Sequence, residues 1–244
     1  MRTAIITIGL VILLMSGSAS ALNNKYFYSS GQIVSGETWD GVLVYNDNTI
    51  VDMLGGQIGY LTTYNNSTFN LLDGQITSHI TIGITGQGTM NVSGGTINIP
   101  SDFVVNMNSV CNISGGNVTA DRLKTYPGSS VEFAGGILDF DTIEIHGELT
   151  IKGGSLHIDN AYVSPWYDET IKVNVYGYGF NYNPNGGTYG GGLLTGYLLD
   201  NNFFSIDQLS ASEFQRFNLI PEPSTFILLA IGASVFYRRN YKKN

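Results

Sequence analysis

The side chains able to do ionic or acid–base chemistry are few, and the acidic ones cluster in one stretch alone. Asp139, Asp141, Glu144 and Glu148 follow one another closely, and Arg122 and Lys124 stand about one repeat earlier. Carboxylates clustered beside a basic group are what polysaccharide lyases and hydrolases use to hold calcium or move protons. Asp139 and Asp141 flank Phe140, so in a strand that turns Phe140 inward they share an outward face open to a cation or a sugar. A solvated face is the competing explanation. His79, His146 and His157 are scattered without an adjacent carboxylate and nucleophile, and neither a Gly-x-Ser-x-Gly elbow nor a glycine-rich phosphate loop occurs. Cys111 is the single cysteine, which excludes a disulfide framework and a cysteine zinc site. These residues assign no catalytic group, no metal and no cofactor, and a non-enzymatic protein is expected.

The elements that must carry these residues come from a repeat. One unit occurs six times: Gly55-Gly56-Gln57-Ile58, Asp73-Gly74-Gln75-Ile76, Gly94-Gly95-Thr96-Ile97, Gly115-Gly116-Asn117-Val118, Gly135-Gly136-Ile137-Leu138 and Gly153-Gly154-Ser155-Leu156. Its second glycines (Gly56, Gly74, Gly95, Gly116, Gly136, Gly154) are spaced by 18, 21, 21, 20 and 18 residues. Three residues before them stand Met53, Leu71, Val92, Ile113, Phe133 and Ile151; five before stand Val51, Phe69, Met90, Cys111, Val131 and Leu149. Both columns are apolar, and the position between them is polar (Asp52, Asn70, Asn91, Asn112, Glu132, Thr150), the alternation of a half-buried strand. A third apolar column, Ile58, Ile76, Ile97, Val118, Leu138 and Leu156, follows the glycines, which therefore mark a sharp corner between two strands.

Three strands and three corners in about 20 residues make one coil of a single-stranded parallel β-helix, stacked on the next at about 4.8 Å. The chain is expected to be all-β, a β-solenoid of about six to seven coils over residues 22–161. In an antiparallel sandwich or barrel, the runner-up, strands need not keep one residue class at one register. Cys111 fills a core position, and the outward asparagines form a stabilising ladder. Over residues 162–218 the repeat gives way to Tyr, Gly and Asn, read as a β cap over the open end of the solenoid.

The ends carry addresses. Residues 1–21 join one positive charge to a short apolar run and an Ala-x-Ala end, the order of a Sec signal peptide cleaved after Ala21. The Sec translocon and signal peptidase are its expected partners. Residues 219–244 hold Pro221-Glu222-Pro223, an apolar segment over 224–237 and a basic end over 238–244 with Arg238, Arg239, Lys242 and Lys243. This three-part tail resembles the PEP-CTERM sorting signal of envelope-building bacteria. The resemblance implies recognition and cleavage near the Pro-Glu-Pro motif by an exosortase. Fourteen helical residues would rise only about 21 Å against a hydrocarbon core of about 30 Å, which suits a transient membrane helix better than a permanent anchor.

Between residues 22 and 220 there are 18 acidic residues and six basic ones (Lys25, Arg122, Lys124, Lys152, Lys172, Arg216), a net charge of about −12. An acidic surface with dispersed cations excludes nucleic-acid binding. The sequence reads as an exported cell-envelope or extracellular-matrix protein, structural or adhesive, meeting exopolysaccharide through its outward Asn, Thr and Asp columns. A β-helix polysaccharide lyase or hydrolase is the alternative.

Overall fold

The computed structural model describes residues 22–163 and 171–222. The expected signal peptide, the segment 164–170 and the tail from Pro223 onward, with Arg238, Arg239, Lys242 and Lys243, lie outside the described residues. The strands are β1 (Asn24–Phe27), β2 (Gly31–Ile33), β3 (Thr38–Val44), β4 (Ile50–Thr63), β5 (Thr68–Ile82), β6 (Thr89–Val92), β7 (Thr96–Val105) and β8 (Val110–Ile113). They continue with β9 (Asn117–Thr125), β10 (Ser130–Ile145), β11 (Glu148–Val163), β12 (Val173–Asn183), β13 (Gly192–Leu198), β14 (Phe203–Leu209) and β15 (Phe217–Pro221). Among the described residues a 3-10 turn covers Thr188–Gly190, and one short α-helix, α1 (Ala211–Phe214), starts on a Ser210/Glu213 capping box.

These strands wind into a β-solenoid of about seven turns, and nearly every pairing is parallel. The register follows the columns of the sequence. On the first face Val51, Phe69, Met90, Cys111, Val131 and Leu149 stand in line, as do Met53, Leu71, Val92, Ile113, Phe133 and Ile151. On the second face Ile58, Ile76, Ile97, Val118, Leu138 and Leu156 do the same. No member of the three columns is more than 2% exposed, and together they fill the core. Burying each such side chain stabilises by about 1.5–3 kcal/mol, which a single coil, open on both sides, could not realise.

The corner explains the glycines. Gly116 has φ +83°, and a Cβ there would stand 2.8 Å from Gly94 O and 2.9 Å from Gly95 O of the coil beneath. The other five corner glycines also have positive φ, and each would meet a backbone carbonyl of the preceding coil within 2.8 Å. The coils therefore touch backbone to backbone at this corner. Length is absorbed elsewhere: the turn into the first face takes four residues after β4, six after β5 and two after β10.

One coil escapes the glycine pattern. Thr38 and Trp39 pair with Gln57 and Ile58, and Gly31 and Ile33 with Val51 and Met53, so residues 31–49 form a turn before the first glycine pair. Its column position holds Gly31 instead of a large apolar residue, and the Phe27 ring lies against it, where a Cβ would come within 2.6 Å of Cε1. Lys25 closes this end. Its Nζ lies 5.2 and 5.1 Å from the Phe27 and Trp39 ring centroids and 2.6 Å from Glu37 Oε1. A charged group over an open end is a device against edge-to-edge association.

At the other end the Tyr/Gly-rich segment is partly solenoid and partly hairpin. β12 and then β15 extend the first face in parallel, β14 extends the second, and β13 fits antiparallel between β12 and β14. Asp200, in the β13–β14 turn, accepts the backbone N–H of Gly154, the last corner glycine.

Replacing Gly116 with Ala adds both strain and collision. Gly36 has φ +88° with nothing within 4 Å of its missing Cβ, so Gly36→Ala adds strain alone. In urea denaturation Gly36→Ala should cost about 1–2 kcal/mol and Gly116→Ala at least about 1 kcal/mol more. Equal losses would mean that the corner contact contributes nothing.

Candidate functional site

The acidic cluster of the sequence is divided by the fold. Strand alternation sends Asp139 out of the second face, beside Thr119 and His157, whereas Glu144 belongs to the third face, beside Lys124 and Tyr162. Glu148 opens the next coil and accepts from Asn174 Nδ2 at 3.3 Å. Asp139 and Asp141 are exposed, as a shared outward face requires, but neither forms an ion pair among the described residues. At the corner after Phe140, Asp121, Asp141 and Asp159 occupy neighbouring rungs, because Ala120, Phe140 and Ile158 pair before them and Arg122, Thr142 and Asn160 after them.

The basic pair instead meets Glu144. Lys124 Nζ lies 3.1 Å from Glu144 Oε1, Arg122 Nη1 lies 3.5 Å from Oε2, and Arg122 Nε lies 3.3 Å from Asp102 Oδ1. His146, expected among surface histidines, is buried, and its Nε2 lies 2.8 Å from Glu144 Oε1. Burial pushes the Glu144 carboxyl upward, but the hydrogen bonds from His146 and Lys124 outweigh it and hold it below the ordinary glutamate range. Burial likewise works against the Lys124 ammonium, and its bond to Glu144 wins, raising its pKa.

A second constellation joins residues 48 apart in sequence. His157 Nε2 lies 3.0 Å from Asp159 Oδ1, and its Nδ1 lies 3.0 Å from Ser205 Oγ. The connectivity is Asp–His–Ser, with the ring nitrogens exchanged relative to the serine-hydrolase arrangement. Acyl transfer also needs free N–H donors aimed at a developing oxyanion. Here Ser205 lies within a sheet, paired with His157 on one side and Thr195 on the other, so the ladder takes its backbone groups. His157 and Asp159 are more than half exposed, where water competes for every bond. The trio ties β14 to β11.

The polar column of the first face is a directed ladder. Asn70 Nδ2 donates to Asp52 Oδ1 at 2.7 Å, Asn91 Nδ2 to Asn70 Oδ1 at 2.8 Å, and Asn112 Nδ2 to Asn91 Oδ1 at 2.9 Å. Asp52 can only accept, so it fixes the sense of every amide above it. The ladder stops at Glu132, which cannot donate to Asn112 and takes Lys152 at 2.7 Å instead. Cys111 is wholly buried in the core, its thiol pushed up to about 12 by loss of water.

Beside the third face runs an aromatic column that the repeat search missed. Tyr45 stacks on Tyr28 at 5.1 Å and on Tyr64 at 4.4 Å, and two rungs of other residues separate Tyr64 from Tyr126. Burial against Tyr64, with the hydroxyls of Tyr28 and Tyr26 nearby, raises the Tyr45 phenol to about 12. The available signal was a Tyr-Asn or Tyr-Pro step just before each turn, at Tyr45, Tyr64 and Tyr126. The carboxylate partners of His146 and His157 were also legible, because residues two apart in a strand share a face.

The Pro-Glu-Pro motif begins where the last strand ends. Pro221 pairs with Gly177 at the end of β15, and Glu222 N donates to Gly177 O at 3.1 Å. Among the described residues no three His, Cys, Asp or Glu side chains converge on a metal position, and no helix is long and apolar enough to cross a membrane. Comparison with protein-family models, with curated proteins and with solved structures gives no match for this chain.

Two substitutions test these networks. Asn91→Ala removes two ladder bonds and should lower unfolding stability by about 1–2 kcal/mol. Glu144→Gln should cost a similar amount at pH 7. The Glu144 carboxyl is depressed in the folded chain, so its contribution is complete above the unfolded value of about 4.3 and is lost as pH falls through the folded value. The gap between parent and variant, followed by thermal melts from pH 7 to pH 3, should close at the acid end; a constant gap would assign the loss to packing.

Proposed function

We propose that this chain is an exported bacterial cell-envelope or extracellular-matrix protein, structural or adhesive and non-catalytic, sorted through Pro221-Glu222-Pro223. The observation that carries the reading is the junction of fold and tail. The solenoid ends at Pro221, the first residue of a motif that an apolar segment and Arg238, Arg239, Lys242 and Lys243 follow. In this reading the Sec translocon and signal peptidase release the N-terminus, the apolar segment inserts transiently in the membrane, and an exosortase cleaves near the motif. Cleavage requires that Glu222 leave Gly177 O, and the strand before it is already at the sheet edge.

The solenoid supplies a rigid body about seven coils long whose acidic surface keeps it soluble and apart from its copies. Its outward amides, hydroxyls and carboxylates suit a hydrated polysaccharide matrix. A lyase or hydrolase would need Asp139 and Asp141 beside a basic group, and Arg122 and Lys124 are instead engaged by Asp102 and Glu144.

Intact-mass spectrometry of envelope and medium fractions from the native host tests the sorting. The expected mature chain starts near Leu22 and ends near Pro221-Glu222-Pro223, and replacing all three motif residues with Ala preserves the tail. A parent chain that keeps residues 224–244 overturns the exosortase step.

A further inference from the structure

Among the turns into the first face from β3 to β11, the longest is Gly83-Ile84-Thr85-Gly86-Gln87-Gly88. The neighbouring turns, Tyr64–Ser67 and Asn106–Ser109, span four residues; this one spans six. Gly83 and Gly88 pinch its base, where a Cβ on Gly83 would stand 2.8 Å from Gly88 N. The loop is fastened toward the preceding coil: Thr85 Oγ1 donates to Asn65 Oδ1 at 2.9 Å, and Gln87 N donates to Asn66 Oδ1 at 3.3 Å. On its other side a cleft of about 740 Å³ opens against Asn106, Met107 and Tyr126. Insertions in a repeat array commonly mark its binding face, and the volume lies in the range of small-molecule sites.

From this lining we infer that the cleft binds a neutral carbohydrate. None of its residues is Asp, Glu, Lys or Arg, although the body around it carries a net charge of about −12. Lys124, whose Nζ lies 5.4 Å from the Tyr126 ring centroid, is already paired with Glu144 at 3.1 Å, and no carboxylate lines the cleft, so neither an anionic nor a cationic ligand meets an unpaired counter-charge there. The side-chain amides of Gln87 and Asn106 make no hydrogen bond among the described residues, so each offers a donor pair and an acceptor to ligand hydroxyls. Ile84 and Met107 are 45% and 56% exposed, and with the Tyr126 ring they suit the C–H face of a sugar. This cleft deepens the matrix reading and rests on it for the class of partner.

Affinity electrophoresis of the purified full chain through gels holding mixed-linkage β-glucan, dextran or galactomannan, with alginate as the acidic control, tests the assignment. At least one neutral polymer should retard the parent, and the apparent Kd should rise at least about tenfold in Gln87→Ala/Asn106→Ala and in Tyr126→Ala. Gly36→Ala, between β2 and β3 and outside both the cleft and the polar columns, should bind as the parent does. The amide pair guards against misfolding, because neither side chain holds the fold together. No retardation by any neutral polymer, retardation by alginate alone, or equal retardation of parent and cleft variants overturns the inference. Failure here is distinct from failure of sorting: a chain that keeps its tail yet binds through the cleft loses the exosortase step and retains the site.

Discussion

Stacking of one coil on the next at a single strand spacing is the constraint from which the rest of this structure follows. At about 4.8 Å a side chain has its counterpart from the neighbouring coil as its nearest neighbour, so a residue choice is repeated or answered along a whole column. At the glycine corner there is no room for an answer. The corner carbonyl of one coil fills the space a Cβ would need in the next, and the backbone turns through positive φ at the same residue. Variation in coil length is absorbed away from that corner, in the turns before the first face and between the second and third faces, where the register shifts.

Polar columns obey the same spacing with different chemistry. Amides can chain, because each both donates and accepts, and Asp52 gives the chain its direction. Carboxylates cannot, so Glu132 turns to Lys152 and Glu144 gathers Lys124, Arg122 and His146. Asp121, Asp141 and Asp159 stack without such partners for the most part, with only His157 beside Asp159, at an exposed corner where water and salt screen their repulsion. Four of the six body cations are consumed by neighbouring acids: Lys25 by Glu37, Arg122 by Asp102 and Glu144, Lys124 by Glu144, and Lys152 by Glu132.

What could be read from the sequence was what repeats. The three apolar columns, the corner glycines and the outward amide ladder each recur once per coil, and their spacing alone sets the register. The first coil was hidden because Gly31 stands in a column of large apolar residues, its place taken by Phe27 from four residues away. The cap was recognisable by composition, yet its antiparallel β13, between two parallel extensions of the solenoid, answers to no repeat. The link from His157 to Ser205 depends on where β14 docks, a long-range pairing that no local spacing encodes.

Regularity also bears on where such a protein can recognise anything. A face that repeats every 4.8 Å offers the same chemistry at every rung, so it can hold a long polymer weakly at many registers but cannot choose one. Choice needs a place where the register is unique. In this chain the six-residue turn at Gly83–Gly88 interrupts the turn column, and it does so between Tyr64 and Tyr126, where two rungs lack the ring. The glycines that permit the longer loop also narrow its base and hold it toward the preceding coil, so the interruption leaves a shaped cleft in place of a loose excursion. The order of the solenoid is thus what gives this longer turn its position, its uncharged lining and its fixed walls.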